Sequence, residues 1–181
     1  MPSVLARGEC TPFDAACAAT WHARRLDKFA RAAIERRHGG LLTNNDILRR
    51  IRYALNLDDE GMVKLFALGD VVVTVEEAGP IVGKEEDPDA VACTDDQLRG
   101  FLDGLIIDRR GPREPGAPVP KVPPDLTNNE IFKKLRIAFN LRADDVVTLL
   151  AAGGQKMSKS ELTALFRKPN HKNFRACGNQ V

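Results

Sequence analysis

Leu42-Thr43-Asn44-Asn45-Asp46-Ile47-Leu48-Arg49-Arg50-Ile51-Arg52-Tyr53-Ala54-Leu55-Asn56-Leu57 returns 84 residues later, without a gap, as Leu126-Thr127-Asn128-Asn129-Glu130-Ile131-Phe132-Lys133-Lys134-Leu135-Arg136-Ile137-Ala138-Phe139-Asn140-Leu141. The same offset carries on through Val63/Val147, Leu65/Leu149, Ala67/Ala151, Gly69/Gly153, Glu77/Glu161, Lys84/Lys168 and Ala92-Cys93/Ala176-Cys177. That makes about 17 identities over the 56 positions of 42–97 and 126–181, in unbroken register, so the chain is a tandem duplication.

Each copy reads as helices. Thr43 stands three residues before Asp46 and Thr127 three before Glu130, the hydroxyl-to-carboxylate spacing that caps a helix start. Behind the cap, Ile47, Leu48, Ile51, Ala54 and Leu55, like Ile131, Phe132, Leu135, Ala138 and Phe139, recur at three- and four-residue steps and put one apolar stripe toward a core. Asn56 and Asn140 close this first helix. A second runs from about Asp58 to Leu68 and stops at Gly69, expected to take the left-handed conformation of a helix end, as is Gly153. A third opens with Thr74 and Glu77, or Ser158 and Glu161. Gly79 and Pro80 should shorten it in the first copy, while Thr163 and Ala164 should make the second copy's the better helix.

After Cys93 the first copy supplies a fourth helix, Asp95 to about Arg110, whose Leu98, Phe101, Leu102, Leu105 and Ile106 form the strongest apolar stripe in the chain. The second copy reaches Val181 where its own fourth helix is expected, so either the C-terminus is cut short or something else covers that face of repeat 2. Upstream, Leu26, Phe29, Ala30, Ala33 and Ile34 follow a similar stripe, and Arg36-Arg37-His38-Gly39 echoes Arg109-Arg110-Gly111. Two readings stay open: a stand-in for the missing helix, or an amphipathic extension that packs wherever apolar surface is free. Residues 1 to 20 read as loosely ordered. The expected architecture is all-α, with an N-terminal extension (1–40), repeat 1 (41–111), a spacer (112–125) and repeat 2 (126–181). Residues 111–125 hold six of the eleven prolines, which predicts a stiff, extended connection.

A hydrophobic fraction of 43% in 181 residues suffices for a packed core. No stretch approaches the roughly 20 apolar residues of a membrane span and no secretory signal opens the chain, so a cytoplasmic protein with no membrane partner is expected. Cys10, Cys17, Cys93 and Cys177 lack zinc-knuckle spacing, so neither metal nor cofactor is expected; Cys93 and Cys177 read as small buried residues, reduced in the cytosol.

The net charge of +2 hides a split: residues 41–111 carry 8 basic and 15 acidic side chains, and 126–181 carry 10 and 4. Opposite charge suggests repeats that attract each other within or between chains, or a second repeat that alone meets an anion. The most suggestive cluster is the segment from Arg167 to Arg175. Arg167, Lys168, Lys172 and Arg175, joined by Lys159, supply charge; His171 adds an imidazole, and Phe174 could stack on a base or merely anchor the loop. Its counterpart, Lys84-Glu85-Glu86-Asp87-Pro88-Asp89, is acidic. A DNA-reading helix-turn-helix ending at Arg167 is disfavoured by the four residues between Gly153 and Ser158, too long for a tight turn. Asn44-Asn45 and Asn128-Asn129 could offer amides to a ligand at a helix N-terminus, though such residues more often only cap. His171 has no partnered nucleophile at a recognisable spacing, so no catalytic residue is assigned, and a hydrolase or transferase built on it is the weakest reading.

LTNNDILRRIRYALNLDDEGMVKLFALGD, FLDGLIIDRRG and ELTALFRKPNHKNFRACGNQ closely resemble the bacterial YehS-like family, a domain of unknown function (1456) present twice per chain. The resemblance covers roughly residues 42–181. It implies a cytoplasmic, all-helical bacterial protein and no known activity or catalytic residue. It also implies two departures: the first 40 residues lie outside the family pattern, and the second copy normally continues into a last amphipathic helix. The function expected is a non-enzymatic helical binding or regulatory protein, with acidic repeat 1 and basic repeat 2 forming its interaction surface toward a protein partner or a second copy of the chain. The alternative is nucleic-acid binding through repeat 2.

Overall fold

The computed structural model describes residues 42–84, 86–114, 116, 123 and 125–179, which form seven helices with no strand among them. Repeat 1 comprises α1 (Asn44–Leu55), α2 (Asp59–Leu68), α3 (Val75–Ile81) and α4 (Asp95–Arg110). Repeat 2 contributes α5 (Asn128–Ala138), α6 (Ala143–Ala152) and α7 (Lys159–Leu165), copies of the first three. The all-α, two-repeat architecture read from the sequence is the architecture observed. The expectations for residues 1–41, and for most of the proline-rich connection, lie outside the described residues.

The capping chemistry works as the spacing predicts except at Thr127, whose hydroxyl accepts from the Glu130 N–H while the Glu130 carboxylate does not reach back to close the box. Thr43, Thr74, Thr94 and Ser158 each accept a hydrogen bond from the backbone N–H three residues on, and Asp46, Glu77, Gln97 and Glu161 reach back to the cap N–H. Asn56 and Asn140, both at φ 52, take the left-handed turn that asparagine tolerates.

Two expectations need correcting. Gly69 and Gly153 are not left-handed: their φ values are −100 and −79, and the positive φ falls one residue later, at Asp70 and Gly154. Gly69 is needed for closeness instead. A Cβ there would lie 1.9 Å from the Gly100 carbonyl oxygen, and one on Gly104 would lie 1.8 Å from the Leu65 oxygen. The backbones of α2 and α4 thus touch where they cross, antiparallel, with Phe66 tilted against Phe101 at 5.1 Å beside the contact. Nor is α7 the better third helix, because α3 and α7 both have seven residues. Asn45 takes the carbonyl of Ile81 and Asn129 that of Leu165, which ends both helices at the same repeat position whatever their composition.

α4 organises the molecule. Its capped start carries Asp95 and Asp96, and its last turn Arg109 and Arg110, both favourable to the helix dipole. One face, Leu98, Phe101, Leu102 and Leu105, fills the core of repeat 1 together with Leu48, Met62 and Phe66. Another face receives α5, so Ile131 and Ala138 of repeat 2 belong to the same continuous core. Lys134 pairs with Asp103 across this joint. The carbonyl of Pro123 accepts from Arg99, near the start of α4, although the connection leaves α4 at its far end. Arg99 and Asp103 of α4 thus meet Pro123 and Lys134 in the same order, so α5 runs alongside α4 in the same direction. Repeat 2 keeps a smaller core of its own: Val146, Leu150, Leu162, Leu165 and Cys177.

Candidate functional site

The segment that follows the third helix has one backbone design in both repeats. In repeat 1 the N–H of Asp87 donates to the Lys84 carbonyl at 3.0 Å, that of Ala90 to Asp87 at 3.0 Å, and that of Val91 to Pro80 at 3.1 Å. In repeat 2 the equivalent bonds run from His171 to Lys168 at 2.9 Å, from Phe174 to His171 at 2.8 Å, and from Arg175 to Ala164 at 3.2 Å.

The asparagine pairs hold this frame. Asn45 Nδ2 donates to the Ile81 and Val91 carbonyls at 2.8 and 2.7 Å, and its Oδ1 accepts from the Cys93 N–H at 2.9 Å. Asn129 repeats this with Leu165, Arg175 and Cys177 at 2.8, 2.9 and 2.8 Å. Asn44 donates to the Cys93 carbonyl and to Asp95, and Asn128 to the Cys177 carbonyl and to Asn179. These amides are consumed inside the fold rather than offered to a ligand. Sequence reasoning missed that role, although a signal was there: two islands of identity, Asn44-Asn45 with Asn128-Asn129 and Ala92-Cys93 with Ala176-Cys177, are the surfaces that touch.

Beneath the frame, burial together with the nearby Asp95 charge pushes the Cys93 thiol up to about 12, and burial raises that of Cys177. Both are buried, uncharged spacers rather than nucleophiles.

The repeats differ in how the frame is braced. Arg49 Nε donates to the Val82 carbonyl at 2.8 Å, Nη2 to that of Gly83 at 2.6 Å and Nη1 to Asp46 at 2.6 Å. Repeat 2 has Lys133 at that position, without the guanidinium fork. There Phe166 packs on Phe132 at 5.3 Å, and the Arg136 guanidinium lies 4.8 Å over the Phe166 ring.

On the repeat 2 frame the predicted residues gather, though not as a free row of cations. Arg175 is paired with Glu161 at 3.0 Å and Lys159 with Asp144. Arg167 Nη1 lies 3.1 and 3.0 Å from the two ring nitrogens of His171, and the Asn173 N–H donates to His171 Nδ1 at 3.1 Å. That donation requires an unprotonated Nδ1, so the ring accepts there and Arg167 rests against it. Lys168 and Lys172 are exposed and make no ion pair among the described residues. Phe174 is half-buried in the wall of a shallow, open depression of about 330 Å³, lined also by Ser160, Glu161, Ala164, Asn173 and Arg175. Hydrogen bonds from the Ser158 backbone and hydroxyl, then from Arg175, hold the Glu161 carboxyl below its usual range, so the depression carries a negative charge beside its positive rim.

On the repeat 1 frame Glu86, Asp87 and Asp89 are exposed, with Asp87 Oδ2 accepting from the Lys84 N–H at 2.7 Å. Among the described residues no group of three or more His, Cys, Asp or Glu could hold a metal ion, and no helix is long and apolar enough to cross a membrane.

No solved structure matches the chain. The Uncharacterized protein YehS of Escherichia coli (strain K12) is 40% identical over 139 residues, 77% of this chain and 88% of that protein. The family described as Protein of unknown function (DUF1456) matches residues 44–111 and 128–181, the two units that share the frame, and this chain belongs to that family.

Proposed function

We propose that this is a non-enzymatic, cytoplasmic binding or regulatory protein whose two recognition surfaces are the loops 84–91 and 168–175. One observation carries the reading: two loops share a backbone hydrogen-bond pattern and an asparagine anchor, yet present opposite charge. Held rigidly, such loops lose little entropy on binding, and their charges set the sign of the surface they accept. The acidic loop of one chain and the basic loop of another are complementary, so association between chains is the simplest use of the pair.

Nucleic-acid binding through Lys159, Arg167, Lys168, Lys172 and Arg175, with Phe174 stacking, is the second reading. Lys168 and Lys172 favour it. The ionised Glu161, and the pairing of Lys159 and Arg175 to carboxylates, weigh against it, since a phosphate would have to displace both partners.

Sedimentation velocity of the intact protein at low and high salt is the test, alongside anisotropy titrations with labelled mixed-sequence DNA and RNA. The binding reading expects self-association that weakens with salt and is lost in Lys168→Glu/Lys172→Glu. A monomer at every salt concentration, together with salt-sensitive oligonucleotide binding lost in that same variant, would replace it with the second reading.

A further inference from the structure

Both charged loops stand at one end of the molecule. Loop 84–91 is carried by Asn45 at the start of α1, and the neighbouring Asn44 donates to Asp95, the first residue of α4, at 2.8 Å. The starts of α1 and α4 therefore lie together. Loop 168–175 is carried by Asn129 at the start of α5. Because α5 runs in the direction of α4 and its Lys134 pairs with Asp103, counting back six residues on each helix sets Asn128 level with Gln97, beside the start of α4. Both α1 and α5 pack on α4, so axes about 8 to 10 Å apart place the two loop anchors within roughly 20 Å of each other.

The charge on this end is not required by the fold. Glu86, Asp89 and Asp95 are exposed in repeat 1, and repeat 2 has Asn170, Asn173 and Asn179 at the same positions. Asn179 accepts from Asn128 at 2.7 Å just as Asp95 accepts from Asn44, so an amide serves there as well as a carboxylate. On the other side Lys168 and Lys172 are exposed. Among the described residues no ion pair joins the two loops, which leaves one face with a negative and a positive half, neither neutralised by the other.

We infer that this end is the face of a closed, two-fold dimer, in which the acidic loop of each copy of the chain meets the basic loop of the other. It rests on the loop reading proposed above and adds how many chains assemble and through which face. A two-fold axis lying in the face, between the loops and across the line that joins them, exchanges their positions, so a single pairing makes both contacts. The second contact then forms within the complex, at an effective concentration that chains joined by one loop at a time lack, and closure outcompetes growth. The other two-fold in the face, along the line of the loops, stacks acid on acid and base on base, which repulsion excludes.

Sedimentation equilibrium of the intact chain at low salt, over a concentration series, tests it. The mass should rise to twice the 19.9 kDa of one chain and stop there. Glu86→Lys/Asp89→Lys makes both loops basic and spares Asp87, which the Lys84 N–H uses; Lys168→Glu/Lys172→Glu makes both acidic. All four side chains are exposed, so circular dichroism should show each variant folded. Either variant alone should dimerise at least about tenfold more weakly, since both contacts then oppose like charges. An equal mixture of the two should regain a one-to-one dimer. A mass that climbs past two chains, in the parent protein or in the mixture, would overturn the closed two-fold while leaving the loop reading in place. A monomer at every concentration, or a dimer indifferent to both variants, would remove the loop reading and this face with it.

Discussion

Gly104→Ala and Gly79→Ala make the same chemical change inside a helix and should move stability in opposite directions. In both, alanine gains about 1 kcal/mol of helix propensity over glycine. At Gly79 nothing beyond its two chain neighbours lies within 4 Å of the added methyl, and the Pro80 ring, which crowds the Cβ of a helical residue before it, offsets part of the gain, so a small stabilisation of at most about 0.5 kcal/mol is expected. At Gly104 the methyl would sit 1.8 Å from the Leu65 carbonyl oxygen, and both atoms belong to helix backbone, so neither can swing aside. Relief requires α2 and α4 to part by roughly 1.5 Å, which loosens the packing of Phe66 on Phe101 and of their neighbours. Overpacking of this kind costs about 1 to 3 kcal/mol or more. With backbone on both sides the upper end applies, leaving a net loss of about 2 kcal/mol after the propensity gain. For an m-value of about 2 kcal/mol per molar urea, that lowers the unfolding midpoint by about 1 M. Because α5 rests on the other face of α4, circular dichroism should report one transition shifted as a whole. A Gly104→Ala protein as stable as Gly79→Ala would refute the claim that α2 and α4 meet at backbone distance.

Three further outcomes are expected. Asn129→Ala removes three hydrogen bonds from the loop frame and should cost about 2 to 3 kcal/mol. It should also raise hydrogen exchange at residues 166–177 well before exchange in α4. Cys93 and Cys177 should resist alkylation at neutral pH in the native protein and react on unfolding, with peptide mapping to separate them from Cys10 and Cys17. For Asp46, burial works to raise the carboxyl, but hydrogen bonds from Thr43 and Arg49 outweigh it and leave the folded value below 3.8. Its contribution is therefore complete above pH of about 3.8 and lost as pH falls through the lower folded value. The acid unfolding of Asp46→Asn should lack that component.

What the sequence made legible was the periodic and the local. Caps depend on residues three apart, and the stripes of α1 and α4 on residues three or four apart, so both could be read directly. Gly69 shows where reading stops. Its position after the last apolar residue of α2 matched a helix-ending glycine, but its reason lies 31 positions downstream in Gly100, a distance no local pattern expresses. The asparagine pairs are the same case, with partners 36 to 51 residues away. At the candidate site the charges were visible and their pairing was not. Arg175 faces Glu161 only because the frame folds the loop back over α7.

The duplication did not yield two equal bodies, and α4 explains why. A helix buried on one side by its own repeat and on another by the next cannot belong to one unit alone, and Ile131 and Ala138 sit in a core that is otherwise entirely repeat 1. The asparagines that anchor the loop frame, Asn45 and Asn129, lie at the start of α1 and α5, and α5 takes its position from α4. The two charged loops are therefore set at a fixed separation by one shared helix, which a flexible tether could not do. If the loops act together, shifting α4 by Gly104→Ala should weaken salt-dependent self-association more than its stability loss predicts. Gly79→Ala, which moves nothing, should leave association unchanged. Equal association in both variants, measured well below the unfolding midpoint of either, would mean that the loops act independently of the helix between them.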